Sequence, residues 1–152
     1  MRSLTLALAV ALLVAPFAHP ALAADYDVQP IGEKGKEIGC MAINQDAGLA
    51  FVAVAQNLSV MMTTKDFKVV KGDPVDGAWS VDGSKDKSLS EKADGPGTVS
   101  ADMEATAQAL SMIANGKELT ATVGKSTMVF DLSGSKQALM DLGACMDKIG
   151  TK

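Results

Sequence analysis

Two cysteines, Cys40 and Cys145, constrain this chain more than any other feature, because a bridge between them would close a loop around most of the sequence able to fold. Such a loop of about 100 residues restricts the unfolded chain by up to about 4 to 5 kcal/mol in the loop-entropy picture. It would also tie the first structural element to the last. The spacing excludes a CxxC redox pair, and two sulfurs without a histidine make a poor zinc site.

Whether the bridge forms depends on the compartment, and the N-terminus speaks to that. Met1 and Arg2 precede an apolar run over residues 4–17 in which Thr5 is the polar exception, and Ala21-Leu22-Ala23 supplies a small-residue cleavage site. This order predicts a signal peptide over residues 1–23, followed by one domain over residues 24–152. The apolar run is about 14 residues, short of the roughly 20 that a permanent membrane helix needs, so no lasting anchor is expected. A lipoprotein would need a cysteine directly after the cleavage site, whereas the first cysteine is Cys40. The expected location is the periplasm or beyond, where a Cys40–Cys145 disulfide can persist.

Cleavage removes Arg2 and His19, the sole arginine and histidine of the chain. The formal charge of −4 then becomes about −5, spread without a basic block. Nucleic acid is therefore not an expected partner. Serine or cysteine catalysis usually draws on an imidazole, and none remains, so the chain is not expected to be an enzyme.

Hydrophobic spacing predicts mainly antiparallel strands followed by a helix, a hairpin and a closing helix, an α+β arrangement. Residues 24–36 are polar, with Pro30, Gly32 and Gly35, and read as an extended lead-in and a loop. Residues 38–43 form a short strand holding Cys40. Residues 49–55 are apolar on both alternating faces and mark the centre of the core. Leu58, Val60 and Met62 alternate with Ser59, Met61 and Thr63 as an antiparallel partner would. Asp-Gly turns break the middle into short pieces, with Val75, Gly77, Trp79 and Val81 on one face and Leu89 and Val99 in two weak strands. Met103, Ala107, Leu110 and Ile113 recur at helical spacing and predict a helix over residues 101–115. Two strands flank Gly124-Lys125, and Leu139, Leu142, Met146 and Ile149 trace a helix over residues 135–148 with Cys145 turned toward the core.

Three motifs carry possible chemistry. Gly124-Lys125-Ser126-Thr127 looks like the end of a phosphate loop, but Leu119 stands where that loop needs glycine, so a hairpin turn is expected. Asp82, Ser84 and Asp86 have calcium-ligand spacing, but Lys87 and Ala93 occupy positions where an EF-hand needs glycine and glutamate. Met41, Met61 and Met62 are the softest ligand set and offer copper binding as an alternative. Against it, a chain with few aromatic residues needs methionine as core filler, and Met112, Met128, Met140 and Met146 are expected on apolar faces.

In the C-terminal third, Gly116-Lys117-Glu118-Leu119-Thr120-Ala121-Thr122, then Phe130-Asp131-Leu132-Ser133-Gly134-Ser135 and Ala138-Leu139, resemble the tail of the invasion-associated locus B family. These are small exported proteobacterial proteins in which a hairpin ends in a Leu-x-Gly turn and an Ala-Leu helix closes the domain. The family typically carries more cysteines than this chain. The resemblance implies a β-rich periplasmic or surface-associated protein, linked in some relatives to host interaction, and transfers no catalytic residue.

The expected function is non-enzymatic binding of a protein or envelope component through the sheet surface or the loops at residues 65–73 and 82–97. Copper binding through methionines and a hydrolase without histidine are the alternatives. No catalytic, cofactor-binding or metal residue is assigned.

Overall fold

The computed structural model describes residues 25–33 and 36–150. The predicted signal peptide lies outside the described residues. Nine strands and two helices are formed among those described: β1 (Asp27–Glu33), β2 (Lys36–Asn44), β3 (Leu49–Val54), β4 (Asn57–Thr63), β5 (Gly77–Val81), β6 (Lys87–Ser88), β7 (Thr98–Glu104), α1 (Ala107–Asn115), β8 (Glu118–Val123), β9 (Ser126–Asp131) and α2 (Ser135–Gly150). They build a five-stranded sheet in the order β1-β2-β3-β4-β7 and a four-stranded sheet in the order β6-β5-β8-β9. Every pairing is antiparallel. This is the expected α+β class, with the strands divided between two sheets.

The pleat sorts the residues of the larger sheet into two faces. Cys40 and Ala42 on β2, Phe51 on β3, Val60 and Met62 on β4, and Val99 and Ala101 on β7 point one way and are buried. They share one continuous core with Trp79, Val81, Leu119 and Phe130 of the smaller sheet and with Ala138 and Leu142 of α2. Helix α2 lies against β1, β2 and β3, and α1 packs against α2. The Cys40–Cys145 disulfide, with Cα atoms 6.2 Å apart, fastens α2 to the second strand of the sheet. The crosslink suits an oxidising compartment. Among the described residues no helix is long and apolar enough to cross a membrane.

The turn at Asp46-Ala47-Gly48 needs its glycine. Gly48 has φ of 67°, and a side chain there would press on the Thr63 carbonyl, which belongs to the neighbouring strand end. The close approach lets the Gly48 carbonyl accept from Thr63 N at 2.8 Å and closes that end of the sheet.

Two expectations are corrected and a third gains detail. The lead-in is extended over Asp27–Glu33, as expected, but it is a paired strand at the sheet edge beside β2, which the reading did not anticipate. Its polar sequence does not prevent this, since an edge strand needs only one neighbour and one covered face. The helix predicted over residues 101–115 begins at Ala107, with the Thr106 hydroxyl capping Ala109 N at 3.2 Å. Residues 98–104 belong to β7 instead, because Val99, Ala101 and Met103 also alternate with period two and pair with Met62, Val60 and Leu58. Met140, expected on an apolar face, is 60% exposed.

Tyr26 precedes β1 and stacks on Phe51 with ring centroids 5.3 Å apart. Its hydroxyl is buried without a hydrogen-bond partner among the described residues. Desolvation, and then the Asp131 carboxylate, push its pKa up from 10.0 to about 12. The folded state therefore favours neutral tyrosine. Its contribution is fully present below pH 10 and is lost as pH rises toward 12. Tyr26→Phe is expected to be neutral or stabilising by up to about 1 kcal/mol at pH 7, since it removes an unpaired polar group. The variant should also lose less stability than wild type in urea titrations between pH 9 and 11. An unchanged alkaline profile would refute the assignment.

Candidate binding cleft

The second face of the larger sheet carries Met41 and Ile43 from β2, Ala50 and Val52 from β3, Ser59 and Met61 from β4, and Ser100 and Asp102 from β7. Because Cys40 holds α2 on the opposite face, this one is left to loops. The segment after β6 crosses its β7 end, where Ser90 N donates to Ser100 O at 2.8 Å and Asp94 N to Thr98 O at 3.0 Å. Between that segment and the sheet opens a cleft of about 810 Å³, floored by Val52, Met61 and Leu89 and rimmed by Glu91, Lys92 and Asp94.

A hydrogen-bonded chain of four side chains lines this cleft. Ser59 and Asp102 are direct cross-strand partners, and the Ser59 hydroxyl donates to Asp102 Oδ1. Ser90 Oγ donates to Asp102 Oδ2 at 2.6 Å, and Ser100 Oγ donates to Ser90 Oγ at 3.0 Å. Both carboxylate oxygens thus accept a hydroxyl. What the cluster offers a ligand is oriented hydrogen bonding beside an apolar floor.

A second cleft of about 380 Å³ adjoins the first through Met61 and is lined by Met41, Ile43, Ala50 and Thr63 among others. It places two methionines of the proposed soft-metal set on one face, with β3 between their strands. The third is elsewhere. Met62 follows Met61 directly, so the pleat sends it into the core, where it is fully buried. No cluster of three or more His, Cys, Asp or Glu side chains suited to a metal ion occurs among the described residues.

The other motifs have structural roles. Asp82 accepts from the backbone amides of Lys117, at 3.0 Å, and Glu118, at 2.9 Å, and so joins the end of β5 to the start of β8. Ser84 Oγ accepts from Val81 N at 3.2 Å. Two of the three side chains read as calcium spacing, Asp82 and Ser84, are thus engaged by backbone amides. Gly124-Lys125 is the hairpin turn between β8 and β9. Of the two loops expected to be exposed, both are partly anchored, one by buried Phe67 and the other by buried Leu89 and Ala93.

Asp131 lies away from the cleft. The Ser133 hydroxyl and amide, donating at 2.7 Å and 2.8 Å, hold its carboxyl below the usual carboxylate range.

No protein-family model, curated protein or solved structure matches the chain.

Proposed function

We propose that this chain is an exported, non-enzymatic binding domain, released into the periplasm or beyond once residues 1–23 are removed, that holds a protein or envelope component on the outer face of its five-stranded sheet. One observation carries the reading: apolar Met41, Ile43, Val52 and Met61 share a sheet face that neither helix covers. Beside them stand the Ser59, Ser90, Ser100 and Asp102 side chains of the larger cleft. Interface cores favour such apolar centres with polar rims. The disulfide supports the export reading, because small secreted domains rely on such crosslinks where thiols are oxidised. The residues that resemble the invasion-associated locus B family form the β8–β9 hairpin and the start of α2, and the resemblance favours the same setting.

The test compares capture from envelope extract by immobilised wild type and by lysine variants. Val52→Lys and Met61→Lys should each abolish retention of the captured partner, while Met140→Lys, on exposed α2 surface, should leave it unchanged. Equal retention by all three variants would move the site off this face.

A further inference from the structure

Among the described residues the two sheets end in four edge strands, and three of these carry features that hinder further pairing. β1 carries Pro30, which lacks an amide hydrogen, and a register shift between Ile31 and Gly32. β6 is two residues long. β7 is covered, because its Thr98 and Ser100 carbonyls accept from Asp94 and Ser90 amides. Among the described residues β9 has none of these devices: six residues, no proline and an unbroken register against β8. Proteins ordinarily blunt such an edge, since its free amides and carbonyls template another strand.

The free groups can be assigned. Gly124-Lys125 forms a two-residue turn, so Val123 and Ser126 are its hydrogen-bonded closing pair. Alternation then turns the Met128 and Phe130 backbone groups toward β8, and Leu132 N donating to Lys117 O at 2.9 Å keeps the same phase. The amides and carbonyls of Thr127, Val129 and Asp131 therefore face outward. Val129 is 55% exposed, so an apolar side chain stands free at the middle of this edge.

We propose that β9 pairs antiparallel with β9 of a second copy of this chain, about a two-fold axis at Val129, so that the two smaller sheets run on as one. In this register Val129 meets the partner's Val129, and Thr127 meets the partner's Asp131. All outward amides and carbonyls of the three residues are used, and no two carboxylates oppose each other. Lys125 lies diagonal to the partner's Asp131 and adds an opposite-charge contact. The neighbouring symmetric registers are worse. Centring on Asp131 opposes two carboxylates, and centring on Thr127 carries Asp131 past the partner's hairpin turn. The proposed contact uses a different surface from the binding cleft, so either can fail without the other.

Sedimentation equilibrium of the purified protein should show a concentration-dependent dimer, and Val129→Lys, which sets two ammonium groups face to face, should weaken it by roughly tenfold or more. Under mild oxidation Val129→Cys should form a 129–129 interchain disulfide, identified by peptide mass. Thr127→Cys should not, because its counterpart lies opposite Asp131 instead. The cysteine pair stands as the test should the lysine variant fail to fold. A monomer at every concentration, a dimer indifferent to Val129→Lys, equal crosslinking of both cysteine variants, or an edge that recruits extended peptides while the protein stays monomeric would each overturn the proposal.

Discussion

Replacing both cysteines, Cys40→Ala with Cys145→Ala, is expected to lower the unfolding free energy by about 3 to 5 kcal/mol. The bridge spans a sequence separation of 105, so without it the unfolded chain regains the freedom of nearly the whole domain. The folded state loses something too. Cys40 is fully buried on β2, and the crosslink holds α2 over β1, β2 and β3. For a domain whose total stability is of the order of 5 to 15 kcal/mol, such a loss leaves a marginal fold. Urea unfolding with and without reductant checks it: reductant should shift the wild-type midpoint downward and leave the double variant where it is. A wild-type midpoint that ignores complete reduction would mean that packing alone holds α2.

Phe51→Ala is expected to cost about 3 to 5 kcal/mol, close to the full penalty for emptying an aromatic site in a core. Phe51 is fully buried on β3, the middle strand of the larger sheet, where it pairs with Ala42 on one side and Val60 on the other. Tyr26 stacks on its ring. The Ala42 side chain is too small to fill the space left behind, and the backbone on both sides is fixed by ladder hydrogen bonds, so the cavity should persist. Phe51→Leu, which keeps most of the volume, should cost under about 1.5 kcal/mol. The check is a fall in urea midpoint at unchanged slope. If both variants cost the same, the site collapses around the deletion and the core is more plastic than its packing implies.

Much of this architecture could be read before folding is considered. The alternation of Leu58, Val60 and Met62 with Ser59, Met61 and Thr63 produces β4, and the apolar run at residues 49–55 produces the central strand. The stripe of Leu139, Leu142, Met146 and Ile149 becomes α2 with Leu142 buried. Gly124-Lys125 turns the hairpin as its chemistry requires. Where the reading failed, two periods coincided. Met103 fits both a period-two strand with Val99 and Ala101 and a helical stripe with Ala107 and Leu110, and only pairing with β4 separates them.

The cleft was not legible, because nothing in the residue types of Ser59, Ser90, Ser100 and Asp102 sets them apart from other polar positions. Sequence positions 43 apart, Ser59 and Asp102 meet because β4 and β7 are neighbours in the sheet. The separation of Met61 from Met62 was decided in the same way, by the pleat, which gives one to the cleft and the other to the core.

By itself the sequence determined which segments alternate, where turns fall and which sulfur must find which, since two cysteines admit a single intramolecular pairing. These are local or combinatorial facts. Tertiary structure alone decided which strands became neighbours, which edge stayed open and which polar side chains met, because contacts between distant segments depend on how two sheets and a helix share one core, and no short stretch of chain encodes that choice.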